Sequence, residues 1–167
     1  MDVLHYPSPV LKTPAQAVSD PKEIADSLEA MAKTMHEHKG VGLAATQVGI
    51  GKRFFILNVE NKPGQDVVLV NPELVEGKGE AAAIEGCLSL PGLEMKVKRY
   101  AWVKIRAQTL DGKTVELEGG GLFARAVQHE LDHLDGKLII DRTSPVTRIA
   151  LRSRLKEMER KFRFKKE

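Results

Sequence analysis

The stretch QHELDHLDG, residues 128 to 136, restricts the fold more than any other part of the chain. His129 and His133 are four residues apart, so on an α-helix they lie one turn apart on the same face. On such a helix both imidazoles can close on one metal ion. Glu130 falls about 100° round the helix from His129, at the edge of such a site rather than on the ion. This is the logic of H-E-x-x-H, in which two neutral imidazoles bind and the carboxylate handles the protons of an attacking water. The spacing predicts a helix from about Leu122 to Leu134, with Gly136 as its stop.

Two histidines do not complete a metal site. The extended protease motif H-E-x-x-H-x-x-G-x-x-H is followed as far as Gly136, but Ile139 stands where the third histidine belongs. His36 and His38 sit two apart at the end of an earlier predicted helix, on different faces. Glu157 and Glu159 are downstream candidates, but they lie in a basic terminal segment, a poor place for a buried ligand. The sole cysteine, Cys87, sits in EGCLSLPG at 85 to 92, just before a predicted turn. A lone cysteine is most often a small buried hydrophobe. Beside an H-E-x-x-H that lacks its third ligand, the ligand reading is favoured. Cys87, His129 and His133 would leave one coordination position open, as a catalytic site requires.

The chain has 167 residues, 42% hydrophobic and 29% charged, which suits one domain with a sizeable core. One cysteine excludes an internal disulfide and fits a reducing compartment. No apolar run approaches the roughly 20 residues of a membrane span, and MDVLHYPSPV has no signal-peptide pattern. A cytoplasmic location is expected, with no membrane partner and no specific DNA. The net charge is +3, yet residues 142 to 167 hold ten Lys or Arg against three Glu. The body is therefore mildly acidic and the tail basic. Such a tail is either a solvated face or a dock for an anionic partner such as RNA.

Asp20, Pro21 and Glu23 open a helix expected to run to about His38, with Ile24, Leu28, Met31 and Met35 as its apolar stripe. GVGLAATQVGI, residues 40 to 50, is too rich in glycine to predict a regular element. Strands are expected at residues 54 to 59 and 67 to 75, the latter interrupted at Asn71-Pro72. The alternation from Met95 to Leu117, with a turn at Asp111-Gly112, predicts a hairpin. A last helix is expected over about 145 to 164, with Ile149, Leu151, Leu155 and Met158 packed inward. The expected fold is α+β: antiparallel and mixed sheets around a central metal-binding helix, with helices at both ends. A single catalytic domain, 1–167, is expected.

GVGLAATQ at 40 to 47, EGCLS at 85 to 89 and QHELDHLDG at 128 to 136 together resemble the three motifs of the peptide deformylase family, in its order and spacing. HYPSPVL, Pro91-Gly92, Val97, Arg99 and GLFARAVQHE extend the resemblance over essentially the whole chain. It implies hydrolysis of the N-formyl group from the initiator methionine of nascent chains, releasing formate. It implies that Cys87, His129 and His133 bind the metal, that Glu130 is the general acid/base, and that the Gln47 amide and the Leu88 backbone N–H hold the formyl oxygen. Fe²⁺ is the implied native metal, with Zn²⁺, Ni²⁺ or Co²⁺ compatible.

The family binds its peptide as an added strand. Gly40, Val41, Gly42, Gly86, Leu122, Arg125 and Ala126 are the substrate-binding candidates, Gly40 and Gly42 because a bare backbone can approach a ligand. An ion pair between Glu85 and Arg99 is expected to brace the Cys87 segment, and ribosome docking is expected of the basic C-terminal helix. Ile84, His36 and Glu94 depart mildly from the family's pattern. Two rival readings are a zinc peptidase, opposed by Ile139 and Cys87, and a non-catalytic metal-stabilised or ribosome-binding module, opposed by Gln47 and Glu130.

Overall fold

Asp20 caps the first helical segment through its side chain. Its carboxylate accepts from the Lys22 N–H at 3.0 Å, while Glu23 accepts from the Asp20 N–H at 3.2 Å, the reciprocal pairing of a capping box. The computed structural model describes residues 1–164. It divides the expected first helix into a 3₁₀ turn, Pro21–Ile24, and helix α1, Ala25–Glu37. Ile24, Met31 and Met35 are buried, and Leu28 packs beside them.

The glycine-rich segment holds more regular structure than its composition predicts. Gly42–Ala44 is a short strand, β1, and Ala45–Val48 a 3₁₀ turn. Strand β2, Phe54–Leu57, is buried on both faces. Phe54 and Ile56 join the core under α1, while Phe55 and Leu57 face the opposite core. Strand β3, Val67–Lys78, runs straight through the expected interruption. Asn71 takes a left-handed conformation, φ 48°, inside a register shift between Val70 and Glu73. Its side-chain amide bonds both the N–H and the C=O of Val18, at 2.8 and 2.9 Å. A bulge thus absorbs Pro72, which has no N–H to give to a ladder.

Strands β4, Ala81–Gly86, and β5, Glu94–Arg99, form a separate two-stranded sheet. Strands β6, Trp102–Gln108, and β7, Thr114–Gly120, form the expected hairpin. Val103, Ile105 and Ala107 are buried as the alternation requires. The larger sheet has the order β1-β2-β3-β6-β7 and is antiparallel throughout. Parallel pairing among the described residues is confined to an isolated bridge, Gln16 with Lys52, so the expected mixed character goes no further than that contact.

Helix α2, Gly121–Leu134, lies across this sheet, with Ala124, Val127, Leu131 and Leu134 against Phe55, Leu69 and Ile105. It stops at Gly136, φ 72°, where the Lys137 N–H reaches back to the Asp132 carbonyl at 2.8 Å, as in a Schellman cap. A side chain at Gly136 would also stand 2.6 Å from the Lys12 carbonyl. The expected last helix is two helices, α3, Pro145–Ala150, and α4, Arg152–Phe164. The break leaves Ile149 out of the apolar stripe. Leu151, Leu155 and Met158 pack beneath β5, whereas Ile149 is exposed, contrary to expectation. The last three residues of the basic tail, 165 to 167, lie outside the described region. No helix of the described residues is long and apolar enough to cross a membrane.

Candidate active site

Three segments converge at one point: the turn after β1, the end of β4, and the inward face of α2. Cys87 Sγ and one ring nitrogen each of His129 and His133 all lie within 4.8 Å of one another. Cys87 Sγ is 3.3 Å from His133 Nε2, which is 3.1 Å from His129 Nε2. A thiol and two imidazoles whose ligating atoms crowd this closely are a donor set that fits a divalent cation. Glu157 and Glu159 are elsewhere: Glu157 pairs with Lys161 and Glu159 accepts from the Tyr6 hydroxyl. Ile139 is buried among apolar side chains.

Glu85 orients the first histidine. His129 Nδ1 lies 3.0 Å from Glu85 Oε2, and a carboxylate only accepts, so Nδ1 carries the proton and Nε2 is free to ligate. Arg99 grips both Glu85 oxygens, at 2.7 and 2.9 Å. The expected ion pair is therefore present and buried, and it bears on His129 as well as on the segment next to Cys87. Burial opposes the charge on Glu85, but His129 and Arg99 outweigh it and bring the carboxyl down to about 2. Burial likewise opposes a charged His129, yet Cys87 and Glu85 raise it well above the usual histidine value, while burial takes His133 well below it.

Glu130 is buried, and its Oε2 has no hydrogen-bond partner. Burial pushes its carboxyl up to about 7, against the pull of His129 and Arg99. Gly42 makes its position possible, because a side chain there would stand 2.6 Å from Glu130 Oε1. The bare backbone at Gly42 thus leaves room for a side chain of the protein itself. Gln47 is held at both ends of its amide. Its Oε1 accepts from the Ala44 N–H at 3.0 Å, and its Nε2 donates to Ser89 Oγ at 3.2 Å, 3.8 Å from Cys87 Sγ.

An open cleft of roughly 810 Å³ lies over this centre. Gly40, Val41, Gly42 and Gln47 line one wall, Gly86, Cys87 and Leu88 another, and Leu122, Arg125, Ala126, His129 and Glu130 the floor and far side. Of the site residues expected from sequence, only His133 does not line the cleft; it is buried behind Cys87. Arg125 is chiefly a brace, its guanidinium bonding Glu85, the Val97 carbonyl and the Ala81 carbonyl. Sequence reasoning overlooked Ser89, which orients Gln47, and Asp132, which accepts from Arg99 at 2.8 Å. Ser89 stands inside the EGCLS motif and Asp132 beside His133, so position was the available signal.

Comparison with known proteins agrees with this geometry. A family model described as polypeptide deformylase matches residues 1–149. A peptide deformylase of Acidobacterium capsulatum is 43% identical over 161 residues, 95% of each chain. One of Chromobacterium violaceum is 41% identical over 165 residues, 96% of each chain. The crystal structure of peptide deformylase 1B of Arabidopsis thaliana, in complex with an inhibitor, matches with a TM-score of 0.95 at 32% identity, over 99% of this chain and 93% of that one. The chain belongs to the peptide deformylase family, metal-dependent hydrolases that remove the N-formyl group from the N-terminal formyl-methionine of nascent polypeptides.

Proposed function

We propose that Cys87, His129 and His133 hold the metal, that Glu130 is the general acid/base, and that the Gln47 amide and the Leu88 backbone N–H bind the formyl oxygen. The observation that carries this reading is the convergence of the three donor atoms within 4.8 Å, with a buried, unpartnered Glu130 oxygen beside them. The bound cation supplies Lewis acidity to the formyl carbonyl and to the attacking water. Glu130 takes the water proton and returns it to the departing amine nitrogen. The water oxygen joins the formyl carbon, the formyl C–N bond breaks, and formate and a free amino terminus leave. Gln47 Nε2 is aimed beside Cys87 by its two anchors, where a developing oxyanion needs a donor.

The peptide lies as an extended strand between the segment Gly40, Val41 and Gly42 and the end of β4 at Gly86. Its methionine side chain enters the pocket formed by Leu122, Ala126 and the aliphatic stem of Arg125. The native metal in this reading is Fe²⁺, with Zn²⁺, Ni²⁺ and Co²⁺ as compatible substitutes. The chain works as one catalytic domain in the cytoplasm, and the basic face of α4 docks on the ribosome. That docking is tested by co-sedimentation of a chain lacking residues 160–167 across salt; unchanged binding would overturn it.

Formate release from formyl-Met-Ala-Ser tests the main reading. Protein loaded with one equivalent of Fe²⁺, anaerobically so that metal and thiolate stay reduced, is expected to be more active than the same protein loaded with Zn²⁺. Absence of release by every loaded form would overturn it.

A further inference from the structure

Behind α2, away from the cleft, lies a second cavity of roughly 420 Å³ whose lining includes Arg99, Asp132 and Arg142. A continuous file of alternating charges leads from the metal centre to it. His129 Nδ1 meets Glu85 at 3.0 Å, Glu85 is held by Arg99, and Arg99 Nη1 donates to Asp132 Oδ2 at 2.8 Å. Arg142 completes the file, with Nη2 to Asp132 Oδ1 at 2.7 Å and Nε to Oδ2 at 3.1 Å. The side chains of Glu85, Arg99 and Asp132 are 5%, 3% and 8% exposed, while that of Arg142 is 42% exposed. The interior part of the file is therefore dry and its last member reaches solvent.

We infer that Arg142 is a positioning residue for the metal centre, acting on His129 through Asp132, Arg99 and Glu85. The reason is charge balance in a poorly screened interior. Arg99 faces two buried carboxylates. Arg142 neutralises Asp132 bidentately, which leaves two of the three donating Arg99 nitrogens on Glu85 and keeps Glu85 square to the His129 ring. Without Arg142, Asp132 competes for the Arg99 fork, and the carboxylate that orients His129 loosens. The inference rests on the proposed role of His129 as a ligand.

Arg53 provides the internal control. It pairs with Asp135 at 2.7 Å, at the same end of α2, and its Nε donates to the Pro72 carbonyl at 3.2 Å. It is an ion pair of similar placement that does not join the file.

The test uses Zn²⁺-loaded wild type, Arg142→Ala, Arg142→Lys and Arg53→Ala. Transfer of Zn²⁺ to the chromogenic chelator 4-(2-pyridylazo)resorcinol is timed, and Tm, kcat and KM are measured separately. Arg142→Ala is expected to release Zn²⁺ about tenfold faster, the lower end of the range for outer partners of metal ligands, with kcat lowered and KM unchanged. Arg142→Lys is expected to recover part of the retention, because it restores the charge but not the fork. Arg53→Ala is expected to lower Tm without hastening release. Wild-type release by Arg142→Ala, or equal acceleration by Arg53→Ala, would overturn the inference while leaving the ligand assignment standing. Failure of the wild type to retain one equivalent of Zn²⁺ would overturn both.

Discussion

The two sides of α2 treat buried polar groups in opposite ways. On the side of Gln128 and Asp132, every side-chain polar atom has found a partner: Gln128 bonds both backbone groups of Tyr100 and the Ala124 carbonyl, and Asp132 receives two arginines. Toward the cleft, Glu130 Oε2 has no partner, and among the described residues the only other buried side-chain atom without one is Nδ1 of His133, whose Nε2 faces Cys87. A buried polar atom left unpaired costs roughly 1–3 kcal/mol. One helix therefore carries both a satisfied structural face and, toward the cleft, a buried Glu130 oxygen left without a partner.

Substitutions on the two faces should fail in opposite ways. Glu130→Gln is expected to lower kcat by roughly 10²–10⁴ with no loss of thermal stability, since the buried charge it removes is poorly partnered. A clear fall in Tm with kcat unchanged would erase the contrast. Asp132→Ala is expected to destabilise the fold by about 3–5 kcal/mol, because Arg99 is left in the interior with one partner fewer; denaturant unfolding reads this directly, and a change under 1 kcal/mol would argue against the structural role. Gly42→Ala should displace Glu130, lowering kcat by up to about 10²-fold at nearly unchanged metal content. Full activity in that variant would mean that the close approach to Glu130 is not needed.

The smallest effect is expected far from either face. Burial and the hydrogen bond to Glu159 push the Tyr6 hydroxyl up to about 12. A raised value means the proton is kept longer as pH rises, so a late phenolate absorbance step near pH 12 should vanish in Tyr6→Phe while kcat stays unchanged. Persistence of that step would show that Tyr6 is not its source.

The parts of this molecule that were legible in the sequence are those whose periodicity and chemistry agree. The helix bearing His129 and His133, the Asp20–Glu23 cap and the β6–β7 alternation each combine a pattern with a local hydrogen-bonding reason. Strand β4 was not legible, because AAAIEG has weak strand preference and Ala81–Ile84 are all exposed. Its partner β5 looked like the start of the hairpin, since nothing in the alternation of residues 95 to 99 says which neighbour it pairs with. Asn71-Pro72 suggested a break because a bulge anchored by Val18, 53 residues away, is a tertiary event. At the site, Cys87 was reached by eliminating other ligands, but the gripping of Glu85 by Arg99 and Arg125 and of Asp132 by Arg142 depends on which elements pack behind α2. The role of Gly42 was legible only as a need for space; what fills that space is Glu130.

X-ray absorption at the metal edge of Zn²⁺-loaded protein reads the donor set itself. One sulfur at about 2.3 Å and two imidazole nitrogens at about 2.0–2.1 Å are expected, with the sulfur lost in Cys87→Ser. A wild-type shell without sulfur, or one unchanged by Cys87→Ser, would contradict this ligand set.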